Sequence, residues 1–174
     1  EAIGAKPQWG LYLDAAHQIQ DRHPLPKSWE SDILLMDPGN PQWQDFLLHN
    51  TAQALKVYPF DAIHVDTLGH RGTLYDYWGE EVSLTEGFAS FLKKAAELLD
   101  VQLLGNPANG FGALEFAKAD TALLYTEVWT DQYPYYRDLA RMIELNGALS
   151  DYEKSTVLAA YINYGGKGDF NPHA

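Results

Sequence analysis

The stretch PFDAIHVDTLGHRG, residues 59–72, passes from an apolar run into a polar loop containing glycine. Phe60 to Val65 predicts a buried strand, Asp66 follows it directly, and Gly69 lies in a loop able to turn over the end of a sheet. The same design returns in LLYTEVW, residues 123–129. There Ala122 to Tyr125 predicts a strand, with Glu127 just past its end and Trp129 beside it. Two acids at the ends of separate strands suit a parallel sheet with a catalytic edge, provided the flanking residues supply the rest of that sheet.

Between the two stretches, Thr85 and Glu86 begin a helix whose apolar positions Phe88, Phe91, Leu92, Ala95, Ala96 and Leu99 fit a period of about 3.6 residues. Val101 to Leu104 predicts the next strand and Gly112 to Ala117 a short helix. Upstream, Trp9 to Leu13 (WGLYL) predicts a strand ending at Asp14, and Ile33 to Met36 a second, short one. Asn40 before Pro41 marks the start of a helix running to about Val57. Downstream, a helix from about Asp131 to Leu149 precedes a strand from Val157 to Asn163. This alternation predicts parallel βαβ units. The main strands number about five, whereas a complete barrel takes ~250 residues. The expected fold class is therefore α/β, a partial (β/α)8 TIM barrel holding central βα units only. Asn171 before Pro172 has the form of one more helix start. Residues 1–174 are thus expected to be a single segment of a barrel catalytic domain, truncated at both ends. An open doubly wound sheet is the structural alternative, although no GxGxxG follows any strand and a dinucleotide site has no support.

The 174 residues are 46% hydrophobic, enough for one core rather than two comfortable domains. A formal net charge of −12 repels phosphate backbones and anionic headgroups. Nucleic acid and membrane surfaces are therefore not expected partners, and a neutral ligand such as a sugar polymer fits better. Five Trp and eleven Tyr offer aromatic faces to such a ligand, or simply build an aromatic core. The absence of cysteine excludes disulfides and thiolate metal sites. No apolar run reaches the ~18 residues of a membrane span, and no signal peptide opens the segment.

Asp14, Asp66, Asn106, Glu127 and Asn163 each end a separate apolar run. In a (β/α) barrel those ends form the catalytic face, although any one of them alone reads equally as a helix cap. Glycoside hydrolysis needs one carboxylate to attack or stabilise the sugar carbon and another to protonate the leaving oxygen. In retaining enzymes the two stand ~5–5.5 Å apart, a span that alternate barrel strands can set across the mouth. Asp66 and Glu127 are the candidate pair.

Five blocks now become informative together: LLMDPGNPQWQ (34–44), FDAIHVDTLG (60–69), LGNPANGFG (104–112), LLYTEVW (123–129) and AAYINYGG (159–166). They resemble successive blocks of glycoside hydrolase family 66, in family order and across nearly the whole chain. That family comprises the endo-dextranases and the cycloisomaltooligosaccharide glucanotransferases. The resemblance implies a (β/α)8 barrel acting on α-1,6-glucan (dextran) with retention of configuration, Asp66 as nucleophile and Glu127 as general acid/base. It also implies an extracellular or cell-surface bacterial enzyme whose partner is an α-glucan polysaccharide or oligosaccharide. No cofactor and no metal enter this reading. The family's N-terminal β-sandwich and later β domains are not recognisable here. No inserted binding module is visible either, which favours endo-dextranase over the cyclising activity.

Other positions carry two readings each. Asp14 ends the WGLYLD block and resembles a family residue that hydrogen-bonds the sugar in the central subsite; a loop or helix cap is the alternative. Asn106 and Asn109 flank an NPANG turn, where amides bind sugar hydroxyls or simply make the turn. His64 shares a strand face with Asp66, as an orienting residue or as a satisfied core histidine. Tyr75, Trp78 and Trp129 are candidates for sugar stacking, while Trp9, Trp29 and Trp43 are expected to be structural. A metal-assisted hydrolase using His64, Asp66, His70 and Glu127 is a rival, weakened because the six His do not gather at successive strand ends. A non-catalytic carbohydrate-binding module would keep the aromatics but has no need of a carboxylate pair. A partial barrel would also leave exposed edges through which chains associate.

Overall fold

The computed structural model describes residues 4–67, 69–129 and 132–161, with backbone alone at 160 and 161. The chain divides into two compact units, Glu1–Pro59 with Arg71–Leu99 and Phe60–His70 with Asp100–Ala174.

In the first unit, WGLYL does not form the expected strand. Pro7–Trp9 makes a single 3-10 turn. Beyond it, Gly10 bridges Met36, and Tyr12 bridges both Gln20 and Tyr75, all antiparallel. The backbone groups of this stretch are satisfied by several loop segments in turn, so no one neighbour extends into a ladder. Ile33–Leu34 (β2) is shorter than expected and pairs antiparallel with Arg22–His23 (β1), which the residue pattern did not announce. Helix α1, Pro41–Val57, begins where Asn40 and Pro41 place it. Asn40 Oδ1 accepts from Gln42 N at 3.0 Å and Trp43 N at 3.1 Å, two amides that a helix start would otherwise leave unpaired. Trp9 packs on Trp43 and Phe46, with ring centroids 5.9 and 5.2 Å away, so both tryptophans are structural. Trp29 is not: it is 65% exposed. Helix α2, Leu84–Leu98, starts on a Ser83 cap and buries Leu84, Gly87, Leu92 and Ala95 along one stripe. Asp21, almost wholly buried, is held by a two-pronged bond from Arg71, at 2.5 Å from Nε and 2.7 Å from Nη2.

The second unit is built on four parallel strands: β3 (Ala62–Asp66), β4 (Gln102–Asn106), β5 (Leu123–Trp129) and β6 (Ser155–Tyr161). Their spatial order is their sequence order. Among the described strands there is no reversal, and hence none of the switch points that define a doubly wound sheet. Helix α3 (Ala113–Lys118) leads from β4 to β5, and α4 (Tyr136–Leu149) from β5 to β6. Side chains alternate between the two faces of a strand. Leu103, Leu124 and Val128 fall on one face and are buried. Gly105 and Thr126 share that face and meet the helices. A Cβ on Gly105 would lie 2.4 Å from Phe116 Cδ1 of α3, and Asn146 of α4 donates to Thr126 Oγ1 at 2.8 Å. Helix α4 starts later than expected because Pro134 disfavours helical backbone at the residue before it; the Asp138 carboxylate then accepts from Tyr135 N at 3.1 Å. Asp131, Asn163, Asn171 and Pro172 lie outside the described residues.

Candidate active site

Asp66 ends β3, Asn106 ends β4, and the two are register partners. They therefore stand side by side on the face turned away from α3 and α4. Asn106 Nδ2 donates to Asp66 Oδ1 at 2.7 Å. Asp66 is exposed, whereas Asn106 is only 1% exposed, so its amide meets the carboxylate rather than solvent. Thr67, not singled out from the sequence, is buried between the same loops. Its Oγ1 donates to Asn106 O at 3.3 Å and accepts from Ala108 N at 3.1 Å. Gly69 completes the turn at φ +71, where a Cβ would be 3.2 Å from Ala108 O. Thr67 was detectable only as a hydroxyl one residue past a strand.

Leu104 pairs with Leu123 and Gly105 with Leu124, which sets Asn106 level with Tyr125. Glu127 then stands two residues, about 6–7 Å, further along β5 on the same face. Two strand spacings, about 9–10 Å, separate β3 from β5, and with the offset along the strand the two Cα atoms stand about 11–12 Å apart. Glu127 is not past the end of its strand as expected, but fifth of the seven residues of β5. The strand continues because β6 pairs with it as far as Trp129, which partners Tyr161. His64 is exposed, so it is not a core histidine; its ring lies 4.6 Å from that of Tyr125 at 53°. Trp129 ends β5 on the Glu127 face and is 40% exposed. Asn109 is exposed and left-handed, φ 55 and ψ 26, which is ordinary turn chemistry for asparagine. The His70 ring stands edge-on to Phe111 at 5.4 Å. Among the described residues no three His, Asp or Glu gather as metal ligands. The four groups of the metal-assisted reading are not brought together.

The remaining candidates, Asp14, Tyr75 and Trp78, lie in the first unit. Asp14 accepts from Ala16 N and Gln18 N through Oδ1, and from Ile19 N through Oδ2. The Gln18 amide, followed by those of Ile19 and Ala16, holds its carboxyl below the usual carboxylate range. Trp78 rides at 66% exposure on a turn organised by Asp76, whose Oδ1 accepts from Trp78 N and Glu80 N at 2.8 and 2.9 Å. Tyr75 is fixed by backbone bonds to Tyr12 at 2.8 and 2.9 Å. Tyr77 meets Trp78 edge-on at 5.8 Å and stacks on His17 at 4.4 Å. The Asp14 loop and the Trp78 turn thus share one aromatic surface, and the sequence reading passed over His17, Tyr77 and Tyr12. The run YDYW at 75–78 carried the signal.

A family model described as glycosyl hydrolase family 66 matches residues 1–174. The chain belongs to this family. A cycloisomaltooligosaccharide glucanotransferase of Niallia circulans is 31% identical over 94% of the chain and 18% of its own length. A dextranase of Streptococcus salivarius is 26% identical over 72% of the chain and 17% of its own length. A solved Paenibacillus sp. cycloisomaltooligosaccharide glucanotransferase, complexed with cycloisomaltoheptaose, superposes with a TM-score of 0.81 at 31% identity. That match covers 92% of this chain and 24% of the solved one. The family 66 chain therefore spans about a fifth of the length of the curated relatives it matches. Among its described residues no helix is long and apolar enough to cross a membrane.

Proposed function

We propose that this family 66 chain forms part of the catalytic domain of a retaining enzyme that cleaves α-1,6-glucan, with Asp66 as nucleophile and Glu127 as general acid/base. The observation that carries this reading is the placing of both carboxylates on one sheet face, at the C-terminal end of β3 and in the C-terminal half of β5, with Asp66 held by Asn106 at 2.7 Å. The sequential parallel order of β3 to β6 supports a (β/α)8 barrel as the frame, with residues 1–174 as central units of it. The Asp66 carboxylate attacks the anomeric carbon while that carbon's bond to the glycosidic oxygen breaks, and the leaving oxygen takes the Glu127 proton. Glu127, now a carboxylate, then takes a proton from the acceptor hydroxyl, whose oxygen displaces Asp66. Trp129, on the same sheet face as Glu127, offers an exposed ring face for a sugar, and the family resemblance favours a bacterial extracellular or cell-surface setting.

Water as acceptor makes the enzyme an endo-dextranase; the glucan's own terminal 6-hydroxyl makes it a cyclising glucanotransferase. The residue pattern favours the first. The second is favoured by the two glucanotransferase relatives at 31% and 30% identity, against 26% for the dextranase. Chromatography of products, linear against cyclic, separates them.

In the full-length enzyme, Asp66→Asn abolishes turnover of α-1,6-glucan, and Glu127→Gln lowers it by roughly 10²–10⁴-fold or more. A fluorinated glucosyl donor whose leaving group needs no protonation still labels Asp66 in Glu127→Gln. It labels nothing in Asp66→Asn. Label found on Glu127 by peptide mass mapping, or substantial turnover by Asp66→Asn, overturns the assignment.

A further inference from the structure

We infer that Asn106 is a positioning residue for the nucleophile, and that its side chain is retained at a cost to the stability of the fold. This rests on the reading of Asp66 given above. Asn106 is 1% exposed, and its Nδ2 donates to Asp66 Oδ1 at 2.7 Å. Its own Oδ1 is buried and has no donor among the described residues. An amide turned the other way would press its oxygen against the carboxylate, so Asp66 dictates which way the amide faces. A buried acceptor without a donor destabilises a protein, and leucine would fill the same volume without that penalty. The side chain at this position thus makes one hydrogen bond among the described residues, and that bond goes to the nucleophile. A local rule broken at a strand end beside a reactive group marks a functional constraint rather than a packing one.

The rest of the site keeps Asn106 in place without help from its amide. The β3–β4 register fixes its backbone, and Thr67 Oγ1 ties Asn106 O to Ala108 N. A side chain on so rigid an element can hold a partner in one rotamer. With Oδ1 engaged by Asn106, Asp66 Oδ2 is the oxygen that meets the sugar carbon. The same bond strengthens when the glucosyl ester breaks and charge returns to the carboxylate. Asn106 therefore favours both halves of the reaction through Asp66 while touching no substrate.

The test uses the full-length enzyme with Asn106→Leu and Asn106→Asp, read beside Asp66→Asn. In Asn106→Leu the thermal midpoint stays level or rises, while kcat on α-1,6-glucan falls roughly 10–100-fold with little change in KM, as expected for a misplaced reacting group. Labelling of Asp66 by the fluorinated donor slows by the same factor. Asn106→Asp sets a second carboxyl against Asp66, and the shared proton moves the acid limb of the kcat/KM profile upward by on the order of one pH unit. A purely structural Asn106 gives the opposite pattern: lowered midpoints, activity lost only in proportion to unfolded protein, and an unmoved acid limb. That pattern, or a wild-type labelling rate in Asn106→Leu while Asp66→Asn is inactive, overturns the positioning role alone. Turnover by Asp66→Asn overturns the nucleophile assignment and the positioning role with it.

Discussion

Both oxygens of Asp14 are engaged by the loop that follows it, at 3.0 Å from Ala16 N, 3.2 Å from Gln18 N and 2.9 Å from Ile19 N. Bonds to the charged form favour it, so the folded carboxyl titrates below its ordinary value of 3.8. The sign follows from linkage. The carboxylate's contribution is fully present above the ordinary value and disappears as pH falls below it through the depressed one. In the full-length enzyme the difference in thermal midpoint between wild type and Asp14→Ala should be constant from about pH 8 to pH 5 and shrink below about pH 4. A difference that does not vary with pH would mean the charge is idle in the loop. Carboxylate oxygens have further lone pairs, so this capping duty leaves room for a sugar hydroxyl as well. Asp66 and Glu127 could be nominated from the sequence because residue type and position beside an apolar run suffice for that. The bond from Asn106 to Asp66 was not, since it joins residues 40 apart through a strand register that no local pattern specifies.

Helix α1 and the strands of the parallel sheet were readable from the sequence for local reasons. Asn40 and Pro41 encode a helix start whatever lies around them, and a short apolar run before an acid marks a strand; the expected burial of that before Asp66 is not met, since no residue of β3 is buried and Phe60 is 64% exposed. WGLYL was misread on the same grounds. Trp9, Leu11 and Tyr12 are buried, but burial does not require a ladder, and nothing local shows that Gly10 and Tyr12 bridge different segments. The close packing of α3 on β4 also lay outside the pattern, and it carries a prediction. The helix-side position at Gly105 is filled by Phe116, itself 0% exposed. Gly105→Ala would set a methyl 2.4 Å from Cδ1, with no solvent into which the ring can retreat. We expect a loss of about 1–3 kcal/mol, the usual cost of overpacking, together with reduced kcat, because Asn106 is the next residue. Adding Phe116→Leu should restore part of the stability, since residues in contact do not behave additively. Unfolding curves of the two single variants and the double variant give the coupling directly. Full additivity would mean that the ring moves aside freely.

Across the whole molecule, family membership was legible because five blocks fall in order along the chain. The division into two units was not, because residues 71–99 join the first unit after β3 has opened the second, a tertiary choice with no sequence mark. In the sheet, β3 is flanked only by β4 and β6 only by β5 among the described residues, so each outer edge offers a template for another strand. The sheet face that carries Asp66 and Glu127 also exposes Trp129 and Val157, and Val57, Tyr58 and Phe60 are exposed elsewhere. Opposing these features is a net charge of −12, which repels like chains. Which effect wins depends on salt. The screening length falls from about 10 Å at 0.1 M to about 3 Å at 1 M, which removes the repulsion and leaves apolar and edge contacts untouched. The 174-residue chain prepared on its own should therefore self-associate at micromolar concentrations, as exposed edges and apolar surface usually do, and more strongly at 1 M salt than at 0.1 M. Sedimentation velocity over a concentration series at both salts measures this. A single-chain mass throughout would show that edges and faces are already satisfied within one chain, and assemblies dissolved by salt would show that charge, rather than strand edges, holds them together.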